Sequence, residues 1–225
     1  MNSNLRTLSV ATALLLAAAV LAPASAAAAP SADPEPRFQV RKAVQLLGTM
    51  SEYKGTYPAA AFPGWADADH DGCDTRAEVL REEAVAAPRI EEDCLVASGQ
   101  WYSWYDDRQL TGDPARQVEV HHLVPLKEAW ESGAHAWDTA TREAYVNDLA
   151  AAATLTAVSA AAARDRGDRD PAEWLPPYAP ARCAYVADWI ATKLRWGLTV
   201  DFLEAVKLTE VAQGCPNTPL AVPAR

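Results

Sequence analysis

Two adjacent histidines, His121 and His122, are the side chains best placed to do chemistry in this 225-residue chain. They close the run Val118-Glu119-Val120-His121-His122-Leu123-Val124-Pro125-Leu126. Apolar and polar residues alternate up to them and Pro125 follows, which predicts a strand ending at the imidazoles. Neighbouring side chains on a strand point to opposite faces. One ring can therefore hold a metal while the other activates a water. Only His70 and His135 add to the histidine count.

Helices, strands and turns flank this pair on both sides. Phe38 to Met50 has helical spacing in Val40, Ala43, Val44, Leu46 and Leu47. Lys54 to Trp65 is loop, and Asp74 to Ala84 reads as a helix. Cys94 to Tyr105 has strand chemistry, and Thr111-Gly112-Asp113-Pro114 a turn. After the histidine strand, Lys127 to Trp137 and Thr139 to Leu149 read as helices. Thr154 to Ser159 is a second short strand, and a helix starts at Ala160. Pro171 to Pro180 is a turn-rich belt. Ala181 to Trp196 and Val200 to Gln213 are amphipathic helices. The tail, residues 216–225, reads as loose. No internal repeat is visible.

The first 29 residues read as an export signal. Arg6 opens it, Leu8 to Leu21 is apolar, and Ala24-Ser25-Ala26 offers a cut there or a few alanines later. A retained anchor is the alternative, disfavoured by the short apolar run. The expectation is a secreted protein with no membrane association after cleavage. Taking 29 residues from 225 leaves 196, enough for one domain spanning 37–215, with 30–36 as a flexible lead. Cys73, Cys94, Cys183 and Cys215 all lie in the exported part, which suggests two disulfides. Three pairings are possible. Cys73–Cys94 with Cys183–Cys215 is favoured, because each closes a local loop. A four-cysteine zinc site is the alternative, though the spacings lack C-x-x-C hooks.

The formal net charge is −10. That excludes tight, salt-resistant binding to phosphates by bulk charge, since such affinity comes from Lys and Arg. Local patches and bridging cations remain open. G-x-S-x-G, H-E-x-x-H and phosphate-cradling glycine loops are absent. Asp67, Asp69, Asp71, Gly72 and Glu78 satisfy the spacing of an EF-hand calcium loop. Against Ca²⁺, Asp74 takes the usual apolar position and Pro58 and Pro63 deny an entering helix. An acidic turn tied by Cys73 is the other reading. Trp174, Tyr178, Tyr185, Trp189 and Trp196, with Arg182, Lys193 and Arg195, could stack bases. Helical spacing favours core packing for them.

The order strand, His-His, helices, second strand, helix resembles the HNH nuclease superfamily, with its ββα-metal (His-Me finger) core. The nearer resemblance is to secreted actinobacterial HNH-family proteins. These share a domain with the C-terminal part of modification-dependent restriction endonucleases. Its marks are the stretch Trp65 to Arg76, His121 to Leu126, Glu128-Ala129-Trp130, Tyr145 to Leu149, and Gly167 to Pro177. The implied fold is α+β, a ββα-metal core embedded in helices and pinned by two disulfides. The implied activity is metal-dependent, sequence-tolerant endonuclease cleavage of nucleic acid, DNA before RNA. His122 matches the general base, with an unperturbed pKa of about 6.5. His121 matches a metal ligand, where the nearer family usually has aspartate. Imidazole there favours Mn²⁺, Ni²⁺ or Zn²⁺ over Mg²⁺. Ala163 stands where the family has a ligating Asn, and Arg166 where it has Lys. Asp165 could ligate only with a shifted helix register. Arg166 or Arg164 would clamp phosphate. Arg76 would contact phosphate or pair with the acidic loop. The competing reading is an inert nuclease-fold binding module, with the acidic loop holding Ca²⁺ or a partner. Oligomeric state is not legible.

Overall fold

A computed structural model describes residues 37–225. The expected signal and lead, residues 1–36, lie outside the described residues. Three small antiparallel sheets, eight α-helices and five short 3-10 turns make up the described chain. β1 (Arg37–Gln39) leads into α1 (Val40–Ala43). A long loop reaches α2 (Thr75–Glu82), whose first turn is capped by the Asp74 carboxylate accepting from the Ala77 amide. β2 (Ala86–Ile90), β3 (Val96–Ser103) and β4 (Arg108–Gly112) form one sheet. α3 (Pro114–Gln117) then turns the chain into β5 (Val118–His122).

α4 (Leu126–Glu131) and α5 (Thr139–Val146) follow, then β6 (Leu155–Ser159) and α6 (Ala160–Arg166). β5 and β6 pair antiparallel, with His121 opposite Thr156 and His122 opposite Leu155. Ser159 caps α6, which packs against both strands. α7 (Arg182–Trp196), α8 (Phe202–Gly214) and β7 (Pro219–Ala221) complete the chain. Gly197 ends α7 at φ 65°, in the left-handed region glycine tolerates.

The larger core surrounds α7, with Tyr185, Trp189 and Ile190 fully buried against Tyr105, Tyr145 and Val158. The smaller one holds Val79, Leu80, Trp101, Val118, Val120 and Leu155 between α2, β3 and the β5–β6 pair. Trp65 packs against both and sits at their seam. Lys193 crosses the larger core as a buried ammonium. It donates to Glu128 Oε1 (2.7 Å), Ser132 Oγ (2.9 Å), Thr199 O (2.8 Å) and Glu204 Oε2 (2.8 Å). Asp148 is equally buried and accepts from Arg195, Trp196 and Thr154. Most of the aromatic and basic belt is thus core: Trp174, Tyr185, Trp189, Trp196, Lys193 and Arg195 are buried, while Tyr178 and Arg182 are half-buried.

The α+β composition and both favoured disulfides, Cys73–Cys94 and Cys183–Cys215, are present. Several local expectations are corrected. The helix expected over Phe38–Met50 is only α1 and a 3-10 turn, Val44–Leu46, because Phe38 is drawn into β1. β2 escapes the alternation rule because it is a mostly exposed edge containing Pro88. The turn expected at Thr111–Pro114 is the end of β4 and the Asp113 cap of α3. The tail is not loose. β7 pairs with β1, Leu220 and Val222 are buried, and Pro223 O accepts from Arg195. Two buried side chains and a ladder offset the entropy of ordering it.

Candidate functional site

The end of β5 opens onto a cleft of about 370 Å³. Tyr57, Trp65, Glu119, His121, His122 and Asp168 are among its walls. Strand alternation sends Val118, Val120 and His122 to one face of the pair and Glu119 and His121 to the other. The two histidines therefore meet different surroundings.

His122 is held by backbone. Its Nε2 lies 3.0 Å from the carbonyl oxygen of Val146, at the end of α5. A carbonyl only accepts, so Nε2 carries the proton and Nδ1 keeps the lone pair. The ring stacks on Trp65 at 5.1 Å and 4° and lies 5.7 Å from Tyr145. Trp65 is kept there by Asn147, whose Oδ1 accepts from the Ala66 amide at 2.8 Å. Burial pushes the His122 pKa down to about 4; the Val146 hydrogen bond opposes this and Arg166 adds to it. The ring is neutral at pH 7.

His121 is held by Arg166. Guanidinium Nη1 lies 3.1 Å from His121 Nδ1. A guanidinium only donates, so Nδ1 is the acceptor and the ring proton sits on Nε2. Burial first, then Arg166 and His122, lower this pKa to about 2. Arg166 also donates to the carbonyls of His122 (2.9 Å) and Leu123. It is fully buried, with its charge over the rings of Tyr185 (5.8 Å) and Trp189 (5.5 Å). Among the described residues no carboxylate pairs with it.

These facts revise four expected roles. Arg166 cannot clamp a phosphate, because its guanidinium is sealed in the core and pinned to backbone. Asp165 is exposed on α6, its Oδ2 accepting from Trp174 Nε1 at 2.8 Å and its Oδ1 3.8 Å from Arg169. It is not among the residues lining the cleft. Arg164 is exposed and Arg76 half-buried, and neither lines the cleft. The residues present do not fit the divalent metal that the resemblance implies. His121 Nδ1 is occupied, its Nε2 is protonated, and a guanidinium charge stands beside it. Ala163, buried on α6, offers no donor. Among the described residues, no group of three ligating atoms includes His121.

The acidic loop does converge. One oxygen from each of Asp67, Asp69 and Asp71 lies within 4.8 Å of the others. The same aspartates cap the turn, accepting from the amides of Gly72, Asp71 and Cys73 respectively. Asp67 Oδ1 is buried without a partner. Glu78 is outside that group. Its pKa is raised by burial and then by Asp69 and Asp71.

Sequence reasoning gave no role to Glu119, Asp168, Trp65 or Tyr57. The spacing i, i+2 from His121 could have flagged Glu119 as sharing its face. No residue type could have flagged the Val146 carbonyl, because backbone groups leave no mark in composition.

Residues 76–211 match the model of the family described as GmrSD restriction endonucleases, C-terminal domain. An uncharacterized secreted protein from Arthroderma benhamiae is 35% identical over 159 residues, covering 71% of this chain and 76% of that protein. No solved structure matches. Among the described residues no helix is long and apolar enough to cross a membrane.

Proposed function

The chain belongs to the family of the GmrSD restriction endonuclease C-terminal domain, and we propose that it is a secreted HNH-type phosphodiester hydrolase with His122 as general base. The observation that carries this reading is the lock on His122: Nε2–H donates to Val146 O, which leaves a bare Nδ1. His122 lines the cleft, and among the described residues Nδ1 has no partner and is not sealed from solvent. The order β5, β6, α6, with the helix packed on both strands, supports the same reading. The substrate class is nucleic acid, with DNA and little sequence preference as the expectation.

In this mechanism Nδ1 takes a proton from a water in the cleft. The resulting hydroxide oxygen attacks phosphorus, the bond from phosphorus to the departing sugar oxygen breaks, a second water protonates that oxygen, and the hydroxide this water leaves takes the proton back from His122. The Val146 carbonyl steadies the imidazolium that forms. A pKa of about 4 makes His122 fully available as a base at pH 7 but a weak one. A phosphate anion docked beside it raises its basicity by charge attraction. No step is assigned to a metal, since the donors at His121 do not fit one.

The test is nicking of supercoiled plasmid in EDTA, then with Mg²⁺, Mn²⁺, Ni²⁺ or Zn²⁺ in turn. His122→Ala should abolish nicking while circular dichroism stays native. A variant that nicks as fast as the wild type removes His122 from the mechanism. A second reading, an inert nuclease-fold binding module, is favoured by Ala163 and by the tied Nδ1 of His121. Wild-type protein that nicks under none of these conditions establishes it over the first.

A further inference from the structure

We infer that His121 presents its Nε2–H to the cleft as a hydrogen-bond donor for a phosphate oxygen, with buried Arg166 providing the positive charge, so that this centre works without a divalent cation. The chemistry rests on the hydrolase reading above; the geometry does not. Arg166 Nη1 at 3.1 Å from His121 Nδ1 admits one neutral tautomer, with the proton on Nε2. Among the described residues that Nε2 has no partner and is not sealed from solvent, and His121 lines the cleft. It is a free donor whose ring is polarised from behind by a guanidinium.

Among the described residues no carboxylate neutralises the charge of Arg166. Tyrosine and tryptophan faces and two carbonyls hold it instead. A fixed cation thus sits one imidazole away from the cleft. In a buried setting such a charge is screened less than it would be in water. It also opposes the competing occupant. A dication at His121 would lie close to a guanidinium, with both ring nitrogens already committed. Arg166 is accordingly a positioning residue: it sets the tautomer of His121 and pins the carbonyls of His122 and Leu123.

The experiment reads the imidazoles directly. Long-range proton–nitrogen spectra of ¹⁵N-labelled protein at pH 7 in EDTA should show His121 protonated at Nε2 and bare at Nδ1. Dimethyl phosphate, used as the probe, should shift the His121 resonances saturably. Without EDTA, one equivalent of Zn²⁺ should leave them in place, whatever it does at the acidic loop. His121→Gln keeps a side-chain N–H and should retain dimethyl phosphate binding; His121→Ala should weaken it about tenfold, the worth of one hydrogen bond to a charged group. Zn²⁺ coordination at His121, or a His121 signal indifferent to dimethyl phosphate, overturns the inference. Plasmid nicking separates it from the hydrolase reading. Nicking that demands Mg²⁺ or Mn²⁺ sinks the inference and spares His122. Dimethyl phosphate binding without any nicking sinks the hydrolase and spares the donor.

Discussion

Replacing His122 by Gln should change how stability depends on pH, by an amount the site itself sets. Gln keeps a side-chain N–H for the Val146 carbonyl but cannot titrate. In the folded protein burial holds the His122 pKa at about 4, against about 6.5 in an unfolded chain. The unfolded state therefore binds more protons between those values. The contribution is fully present above pH 6.5 and is lost as pH falls through about 4. At about 1.4 kcal/mol per factor of ten, the gap is worth about 3 kcal/mol. Urea unfolding at pH 7 and pH 4 measures it as a double difference. Wild-type protein should lose about 3 kcal/mol more than His122→Gln over that interval. His121 titrates the same way, its pKa lowered to about 2. Glu83, Asp170, Asp188 and Glu204, with raised values, act in the opposite direction. The carboxylates are common to both proteins and cancel in the difference, while in the variant His121 keeps only the part of its shift that burial and Arg166 cause. Equal pH slopes would mean that His122 is solvated in solution, and the buried, carbonyl-locked base would be refuted.

Lys193→Ala should cost about 3–5 kcal/mol by urea denaturation, because it leaves Glu128 and Glu204 buried without their cation; a loss under 1 kcal/mol would mean water enters that core. Reducing both disulfides should lower stability by about 2–4 kcal/mol for each loop closed, and an unchanged melt in reductant would contradict their presence in solution. If Asp67, Asp69 and Asp71 hold Ca²⁺ with a dissociation constant on the order of 10⁻⁴ M, 10 mM CaCl₂ should stabilise the protein by about 2.7 kcal/mol. Asp69→Asn should remove most of that gain, and a wild-type melting temperature indifferent to CaCl₂ would leave the loop as a turn only.

Much of the fold was legible because its signals are local. Asp74, Asp138, Ser159 and Asp201 cap helices α2, α5, α6 and α8 close to where they were expected to start. β5 and β6 show as β-branched or alternating runs. The cysteines pair within short separations of 21 and 32 residues. β1 and β7 were missed because their pairing joins the two ends of the described chain. A three-residue strand has no pattern of its own to find.

A histidine pair at a strand end, an acidic turn and an even cysteine set are all readable from residue order, since residue type and spacing are local facts. The chemical state of those histidines comes from contacts distant in the chain. Arg166, 45 residues from His121 along the chain, turns one ring into a donor, and the Val146 carbonyl, 24 residues from His122, turns the other into an acceptor. An imidazole has two nitrogens and one proton at neutral pH. Which nitrogen keeps it is settled by whatever the fold places opposite, and no count of residues contains that.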